Sequence, residues 1–484
     1  MSLDFQKAFD TVDPQLGLMC LRHLGMPDPM LSMLRHVWQQ HRWLTYQGEL
    51  LPHPIKVNSS LPQGDACSPL TLLALMTGLT RHIMQNEPQP FVMVTFLDDR
   101  NYVARDVPQA IRLWQSWRQL SAQLGLWEHN DKVKVVARKA SLRDALLNGG
   151  FADAHLVPSA RVLGIDFTAR LGSIDKPTQK QRLVEARSRL NRIDLLPISH
   201  QPKNQLVASL AIPKAVWGAW TKIKPVTKLT MQVKKVAGAR HSQTSEHLFF
   251  LLAGHGLHPA FAAGAQAYTN LASVVRQRPR PWPNRSSQGT WLGTVRRFLQ
   301  ELGWQELGQW RWRHPTLNPR ANTINWNLQI TNEGRDLEAH MIRESWRQLQ
   351  FASFKQSTRR DAVQIQEVEY DEDRITLTRR LWRSLDAHGR AALTGAIVSD
   401  ARFDIMQSKP IDCCQWCSTA AIPDWNHLAW HCTGFHATRQ GLRVPHDNLQ
   451  RVLGWPLGGP DDQVILQHLA SVRKRLLDKR YRSL

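Results

Sequence analysis

Phe91-Val-Met-Val-Thr-Phe96-Leu97-Asp98-Asp99-Arg100-Asn-Tyr-Val103 contains two apolar, strand-like runs that meet at adjacent carboxylates. This is the layout of a β-hairpin with charge at its tip. Two neighbouring carboxylates repel each other, so the pair calls for a cation. Taken alone, Asp98 and Asp99 read more readily as ordinary turn residues, because Asp bonds its own backbone in turns. The decision rests on what surrounds them.

Upstream stands Leu3-Asp4-Phe5-Gln6-Lys7-Ala8-Phe9-Asp10-Thr11-Val12-Asp13-Pro14, in which Asp13 caps a helix whose first residue is Pro14. Between the two lies Ser60-Leu-Pro62-Gln63-Gly64-Asp65-Ala-Cys67-Ser68-Pro69-Leu70, a turn feeding an apolar helix. Gly64 there lets backbone approach a ligand closely; the plainer reading is a loop before a helix. Around these segments, β-like runs (Arg42 to Tyr46, Phe91 to Phe96, Val133 to Val136, Val162 to Phe167) alternate with helical stretches (Pro14 to Leu24, Leu70 to Gln85). The expected fold class is therefore α+β.

In their order and spacing the three segments resemble motifs A, B and C of reverse transcriptases. The form Asp4-Phe5-Gln6-Lys7-Ala8-Phe9-Asp10 is similar to motif A of non-LTR retrotransposons and their group II intron relatives. Leu124-Gly125-Leu126-Trp-Glu-His-Asn130-Asp131-Lys132-Val-Lys134 looks like motif D, and Val162-Leu163-Gly164-Ile165 like the Leu-Gly turn of motif E. Two departures stand out: Leu97 where the family usually has Ala, and Asp65-Ala66-Cys67 in motif B.

The resemblance implies a polymerase palm, an antiparallel sheet with helices, over residues 1–170. A helical basic thumb over 171–260 would follow, then a Trp/Arg-rich connector over 261–405, a zinc-binding module over 406–440 and a basic C-terminal helix over 441–484. It implies RNA-directed DNA polymerase activity on an RNA template and DNA primer with deoxynucleoside triphosphates. Asp4, Asp98 and Asp99 would hold two Mg²⁺ (or Mn²⁺), since hard cations prefer carboxylate oxygen. The Phe5 carbonyl would serve the nucleotide-side metal, and Phe9 would exclude a ribose 2′-hydroxyl, unless it is simply a core aromatic. Gln63 and Gly64 would contact nucleotide and template, and Lys132 would protonate pyrophosphate; the plainer reading of Lys132 is a solvated lysine. Because motif A opens at residue 3, the expectation is a palm whose fingers are missing. The alternative is a catalytically inactive nucleic-acid-binding remnant.

Near the other end, Cys414-x2-Cys417-x9-His427-x4-Cys432 has the spacing of one tetrahedral structural Zn²⁺ site, with Cys413, His431 and His436 as spare neighbours. It is similar to the Cys-Cys-His-Cys module that follows the polymerase in many non-LTR elements. Trp416, Trp425 and Trp430 either pack this module or stack bases.

Composition agrees with a polyanionic partner: 62 Lys and Arg against 40 Asp and Glu give a net charge of +22. Cations recur at helical spacing from Lys176 to Arg240 (Arg182, Arg187, Arg189, Arg192, Lys222, Lys224, Lys228, Lys234, Lys235). Seven Trp interleave with Arg between Trp282 and Trp346, which suits either base stacking or a small core. Between Arg276 and Arg320 the composition shifts to Arg, Pro and Trp, most densely from Arg278 to Arg285, which breaks regular structure and reads as a linker or an extended binding segment. Leu337 to Phe354 and Ile375 to Ile397 read as helices joined by an acidic, solvated stretch, Glu367 to Asp373. The basic run Arg473-Lys474-Arg475 to Lys479, Arg480 and Arg482 reads as a phosphate contact, a nuclear address or a solvated helix face. There is no long apolar run and no secretory layout at the start, so the expectation is an intracellular protein of nucleus or cytoplasm that engages no membrane, with oligomeric state open.

Overall fold

The computed structural model describes residues 1–41, 43, 45–50, 52–54, 60–62, 64–168, 177–218, 226, 228–239, 244–277, 291–314, 327–331, 334–357, 365–395, 413–439 and 441–482. Gln63, Lys222, Lys224, the Arg278 to Arg285 segment with Trp282, and residues 406–412 lie outside the described residues, as do the side chains of Lys479, Arg480 and Arg482. The rest of the Arg276 to Arg320 range is not the irregular linker expected: where described it forms the helix Trp291–Glu301 and the strands Gln305–Gly308 and Arg311–Arg313. The chain divides into two compact units, Met1–Thr178 and Gln179–Leu484.

In the first unit, β1 (Ser2–Leu3), β4 (Val92–Phe96) and β5 (Asp99–Val103) form an antiparallel sheet in the order β1-β5-β4. Two further hairpins pair β2 (Thr45–Tyr46) with β3 (Glu49–Leu50), and β6 (Ser159–Val162) with β7 (Ile165–Thr168). The Val162 to Phe167 run is thus not one strand. Leu163 (φ 47°) and Gly164 (φ 77°) fold it back through a tight turn with both central residues left-handed. The Val133 to Val136 run likewise makes only isolated bridges, Lys134 to Ser2 and Val135 to Leu156.

The helices are α1 (Ala8–Thr11), α2 (Pro14–His23), α3 (Asp28–Trp38), α4 (Cys67–Asn86), α5 (Val107–Gln123) and α6 (Ala140–Asn148). Asp13 caps α2 as expected, accepting from the Gln15 N–H at 2.8 Å, with Pro14 first in the helix. Helix α2 packs on α3 and α4, α4 on α5, and α5 on α6. One core runs through Leu3, Phe5, Trp38, Leu72, Leu113 and Trp117.

The second unit is mainly helical. Its core surrounds the helix Glu246–Ala253, in which Leu248 through Leu252 are all buried, packed against the helices Arg335–Lys355 and Glu372–Ser384. Trp304, Trp312 and Trp346 belong to this core, and Trp304 donates to the Ser345 hydroxyl at 3.0 Å, so for these three the packing reading holds. The Ile375 to Ile397 text is two helices, Glu372–Ser384 and Ala387–Leu393, not one. Leu385 is extended, and Asp386 caps the second helix by accepting from the Gly389 N–H at 2.8 Å, which restarts the chain. Lys234, counted among the basic-face cations, turns inward and donates to the Thr244 carbonyl at 3.0 Å. No helix among the described residues is long and apolar enough to cross a membrane.

Candidate functional site

The antiparallel register pairs Ser2 with Asn101 and Leu3 with Arg100. Continued by one residue, it sets Asp4 opposite Asp99, and residues directly opposite share a face of the sheet. Alternation along each strand does the rest: Leu3 and Arg100 are buried on the core face, so Asp4 and Asp99 take the other. Phe96 pairs with Asp99, leaving Leu97 and Asp98 as a two-residue loop at the tip. Leu97 occupies the left-handed region at φ 53°, an unfavourable conformation for a branched residue.

The three carboxylates feel one another. Burial raises Asp98 above the usual aspartate range, and Asp4 adds to it, while the Asp98 backbone N–H, Lys132 and Arg100 pull the other way. Asp99 is raised by burial, then by Asp98 and Asp4. Such an arrangement favours a bound cation, because a positive charge relieves both the repulsion and the lost hydration. Oxygen donors of this kind suit Mg²⁺ or Mn²⁺.

Lys132 supplies a positive charge from the chain itself. It lies in a 3-10 turn, Asn130–Lys132, and donates from Nζ to Asp4 Oδ2 at 2.6 Å. Backbone bonds hold this turn beside β1: the His129 N–H donates to the Asp4 carbonyl at 3.0 Å, and the Gln6 N–H to the Trp127 carbonyl at 2.8 Å. The hydrogen bond to Asp4, then its charge, raises the Lys132 pKa.

The remaining expected residues are dispersed around this site. Phe5 is buried in the core, and Phe9 is half-buried against it while its carbonyl accepts from the Leu61 N–H at 2.7 Å. Gly64 sits at φ 94°, which requires glycine, and open space lies where a side chain would stand.

Sequence reasoning missed two groups. Asp65 ties the start of α4 to α3, accepting from Trp38 Nε1 at 2.8 Å and from the Cys67 N–H at 3.2 Å. Arg100 is fully buried next to Asp99, paired with Glu128 at 3.1 Å and stacked 3.5 Å over the Phe5 ring. Burial lowers Arg100 to about 10 and raises Glu128, each opposed by its partner. No periodicity marks a buried charge; the signal was a lone Arg inside a strand run.

In the second unit, the donor atoms of Cys414, Cys417, His427 and Cys432 all lie within 4.8 Å of one another. Cys414 and Cys432 sulfurs are 3.7 Å apart, and Cys417 Sγ is 3.4 Å from His427 Nε2. Tetrahedral bonds of about 2.3 Å to sulfur and 2.0–2.1 Å to nitrogen span similar separations, so the set can hold zinc. Burial pushes Cys432 up to about 12. For Cys417 burial also pushes upward, but Thr419, His427 and Cys414 outweigh it and hold the thiol at about 6. Cys413, His431 and His436 are exposed and outside the cluster. Trp416 packs on Phe435, while Trp425 and Trp430 donate to the Val452 and Arg451 carbonyls, so all three serve packing.

Residues 1–167 match the family model of reverse transcriptase (RNA-dependent DNA polymerase). No curated protein matches the chain. The first unit therefore carries a reverse transcriptase domain, the family whose members act on a nucleic-acid template and primer with nucleotide substrates.

Proposed function

We propose that the chain is an RNA-directed DNA polymerase of the non-LTR retrotransposon type, extending a DNA primer on an RNA template at Asp4, Asp98 and Asp99. What carries this reading is the β1–β5 register, which brings Asp4 and Asp99 to facing positions beside the Asp98 turn. The form of the Asp4 to Asp10 segment supports the non-LTR assignment.

Asp4, Asp98 and Asp99 would hold the two metals, Asp99 serving the primer side and the Phe5 carbonyl the nucleotide side. Bound there, Mg²⁺ or Mn²⁺ would make the primer 3′-hydroxyl more nucleophilic and neutralise the pyrophosphate. Phe9 excludes the ribose 2′-hydroxyl by its bulk. Gln63 and Gly64 orient the nucleotide against the template. Lys132, held protonated by Asp4, delivers its proton to pyrophosphate once the nucleotide draws it away.

Residues 171–260 act as thumb, 261–405 as connector, 406–440 as a zinc module that holds template or target, and 441–484 as a basic helix. The thumb's cations neutralise backbone phosphates without reading sequence. The protein acts inside the cell, in nucleus or cytoplasm.

Primer extension on an RNA template with Mg²⁺ or Mn²⁺ tests the proposal, with Asp98→Asn as control. Extension by the parent chain and none by the variant is expected. Equal signals would leave the alternative, a catalytically inactive nucleic-acid-binding remnant, which the charge of +22 by itself accommodates.

A further inference from the structure

A cavity of about 400 Å³ opens in the second unit between the helix His200–Leu206, the loop after Glu246–Ala253, and the helices Glu372–Ser384 and Ala387–Leu393. Its wall carries Asn204, His255, Arg379, Trp382, Arg383 and Arg390, and no Asp or Glu lines it. Arg379, Trp382 and Arg383 fall three and four residues apart, so one face of one helix presents them together.

These cations are only partly compensated, Arg390 by stacking over the Trp382 ring at 5.6 Å. Among the described residues Arg379, Arg383 and Arg390 form no ion pair; Arg379 donates only from Nε to the Leu252 carbonyl at 3.4 Å. Glu344, the carboxylate acting on Arg379, is paired instead with Arg347, and Asp386 attracts Arg390 from outside the lining. Burial, with Arg347 and Arg383 nearby, lowers Arg379 to about 10. Donors are also left over. Trp382 is 4 % exposed and its Nε1–H has no hydrogen-bond partner, Arg390 Nε also lacks one, and the ring nitrogen His255 Nδ1, donor or acceptor by tautomer, is unpartnered as well. Burial and three arginines hold His255 neutral by pushing it down to about 4. The Asn204 amide, whose two ends exchange by a simple flip, adds another unpartnered atom.

Buried donors without acceptors cost free energy, and like charges gathered in a half-closed cavity cost more. A single ligand class removes both costs: a compact oxyanion with several acceptor oxygens. Planar guanidinium groups are suited to phosphoryl oxygen in particular, which they bind through paired N–H donors. The volume falls in the range of roughly 300–1,000 Å³ typical of small-ligand pockets, leaving room for the ester substituent of the phosphoryl group.

We propose that this cavity is a phosphoryl-binding site, with Arg379, Arg383 and Arg390 holding the oxyanion and the indole N–H of Trp382 completing its hydrogen bonds. The phosphoryl group belongs either to a nucleic-acid backbone or to a free phosphate compound. The site stands apart from the Asp4–Asp99 carboxylates and does not depend on polymerase activity.

The test uses the full chain in two arms: thermal stabilisation by inorganic phosphate, and binding of a labelled single-stranded RNA across a salt series. In the parent chain either ligand registers, and the Arg379→Gln/Arg390→Gln variant weakens it about tenfold or more. If the backbone is the source, the RNA arm also loses about one unit of log–log salt slope for the phosphate lost. If a free phosphate is the source, the phosphate arm responds and the RNA arm does not. Arg383→Glu, on an exposed side chain, and Trp382→Phe, which keeps the ring and removes only its N–H, guard against misfolding, and each weakens the same arm. Parent-like binding in both arms for all three variants overturns the proposal. Both arms are read without divalent metal or nucleotide, so failure here is distinguishable from failure of the polymerase reading, which primer extension tests.

Discussion

Lys132 Nζ stands 2.6 Å from Asp4 Oδ2, an ion pair joining residues 128 apart in sequence. The ammonium thus rests on a carboxylate that the polymerase reading gives to a divalent metal. On that reading a metal at Asp4 would compete with Lys132 for the carboxylate, and a lysine drawn off it would be a protonated acid beside the site.

Lys132→Met should therefore have two opposite effects. Half-saturation by Mg²⁺ should fall, because a competitor for Asp4 is gone. Extension at saturating Mg²⁺ should slow by about 10²- to 10⁴-fold, the usual worth of a positioned acid. Lys132→Arg keeps the charge but not a transferable proton, so it should remain slow without the gain in metal affinity. Because Lys132 is half-exposed, thermal stability should move by less than about 1 kcal/mol. Unchanged extension in both variants would remove Lys132 from the chemistry.

A second prediction concerns pH and stability. Asp98 and Asp99 are raised above the ordinary aspartate value of 3.8, chiefly by burial. The native state then holds protons that the unfolded chain has already lost, so these groups reduce stability as pH climbs from about 3.8 through their folded values. At neutral pH without metal, Asp98→Asn should melt higher than the parent chain, and Mg²⁺ should stabilise it less. The same variant should not extend a primer. Melting curves at neutral and acid pH check the sign; a variant that melts lower at neutral pH contradicts it.

The hairpin carrying Asp98 and Asp99 was legible because apolar alternation and a charged tip are local signals, and Asp13-Pro14 announced α2 for the same reason. The β1–β5 pairing was not. Two residues, Ser2 and Leu3, carry no periodicity, and their partners lie about a hundred positions away. Family resemblance, rather than patterning, joined Asp4 to Asp99. Tryptophan was ambiguous in sequence since its ring serves a core and a base equally; burial of Trp304, Trp312 and Trp346 decided those cases. Arg100 was illegible, since its Glu128 partner lies 28 residues on and a charged side chain reads as surface by default.

That buried pair yields a third prediction. Arg100 and Glu128 lie under β5, with Arg100 also stacked on Phe5 and near Trp117. Removing one partner strands the other charge, at a cost of about 3–5 kcal/mol. Arg100→Met and Glu128→Gln should each melt well below the parent chain. The double variant Arg100→Met/Glu128→Leu should recover much of the loss, because the desolvation penalty goes with both charges. Additive losses in the double variant would show that the packing of Arg100, not its charge, matters most.

The last prediction concerns the cysteine cluster. Cys414 and Cys432 share a small core with Leu428 and Phe435, and this core includes Val472 and Leu476 of the helix Asp462–Arg482. His468 of that helix also bonds the Ala429 and Thr438 carbonyls. Stripping a structural zinc would therefore loosen the helix along with the cluster, since four donors so close together repel once their cation is gone. The full chain should bind about one zinc per molecule, as four ligands imply. Cys417→Ser should lose it, whereas Cys413→Ser and His436→Ala, both outside the cluster, should retain it. Chelation should lower the melting temperature of the parent chain and speed proteolysis near the C-terminal helix, while leaving the Cys417→Ser variant unaffected. Zinc below about half an equivalent, or a parent chain indifferent to chelator, would mean that the four residues meet for packing alone.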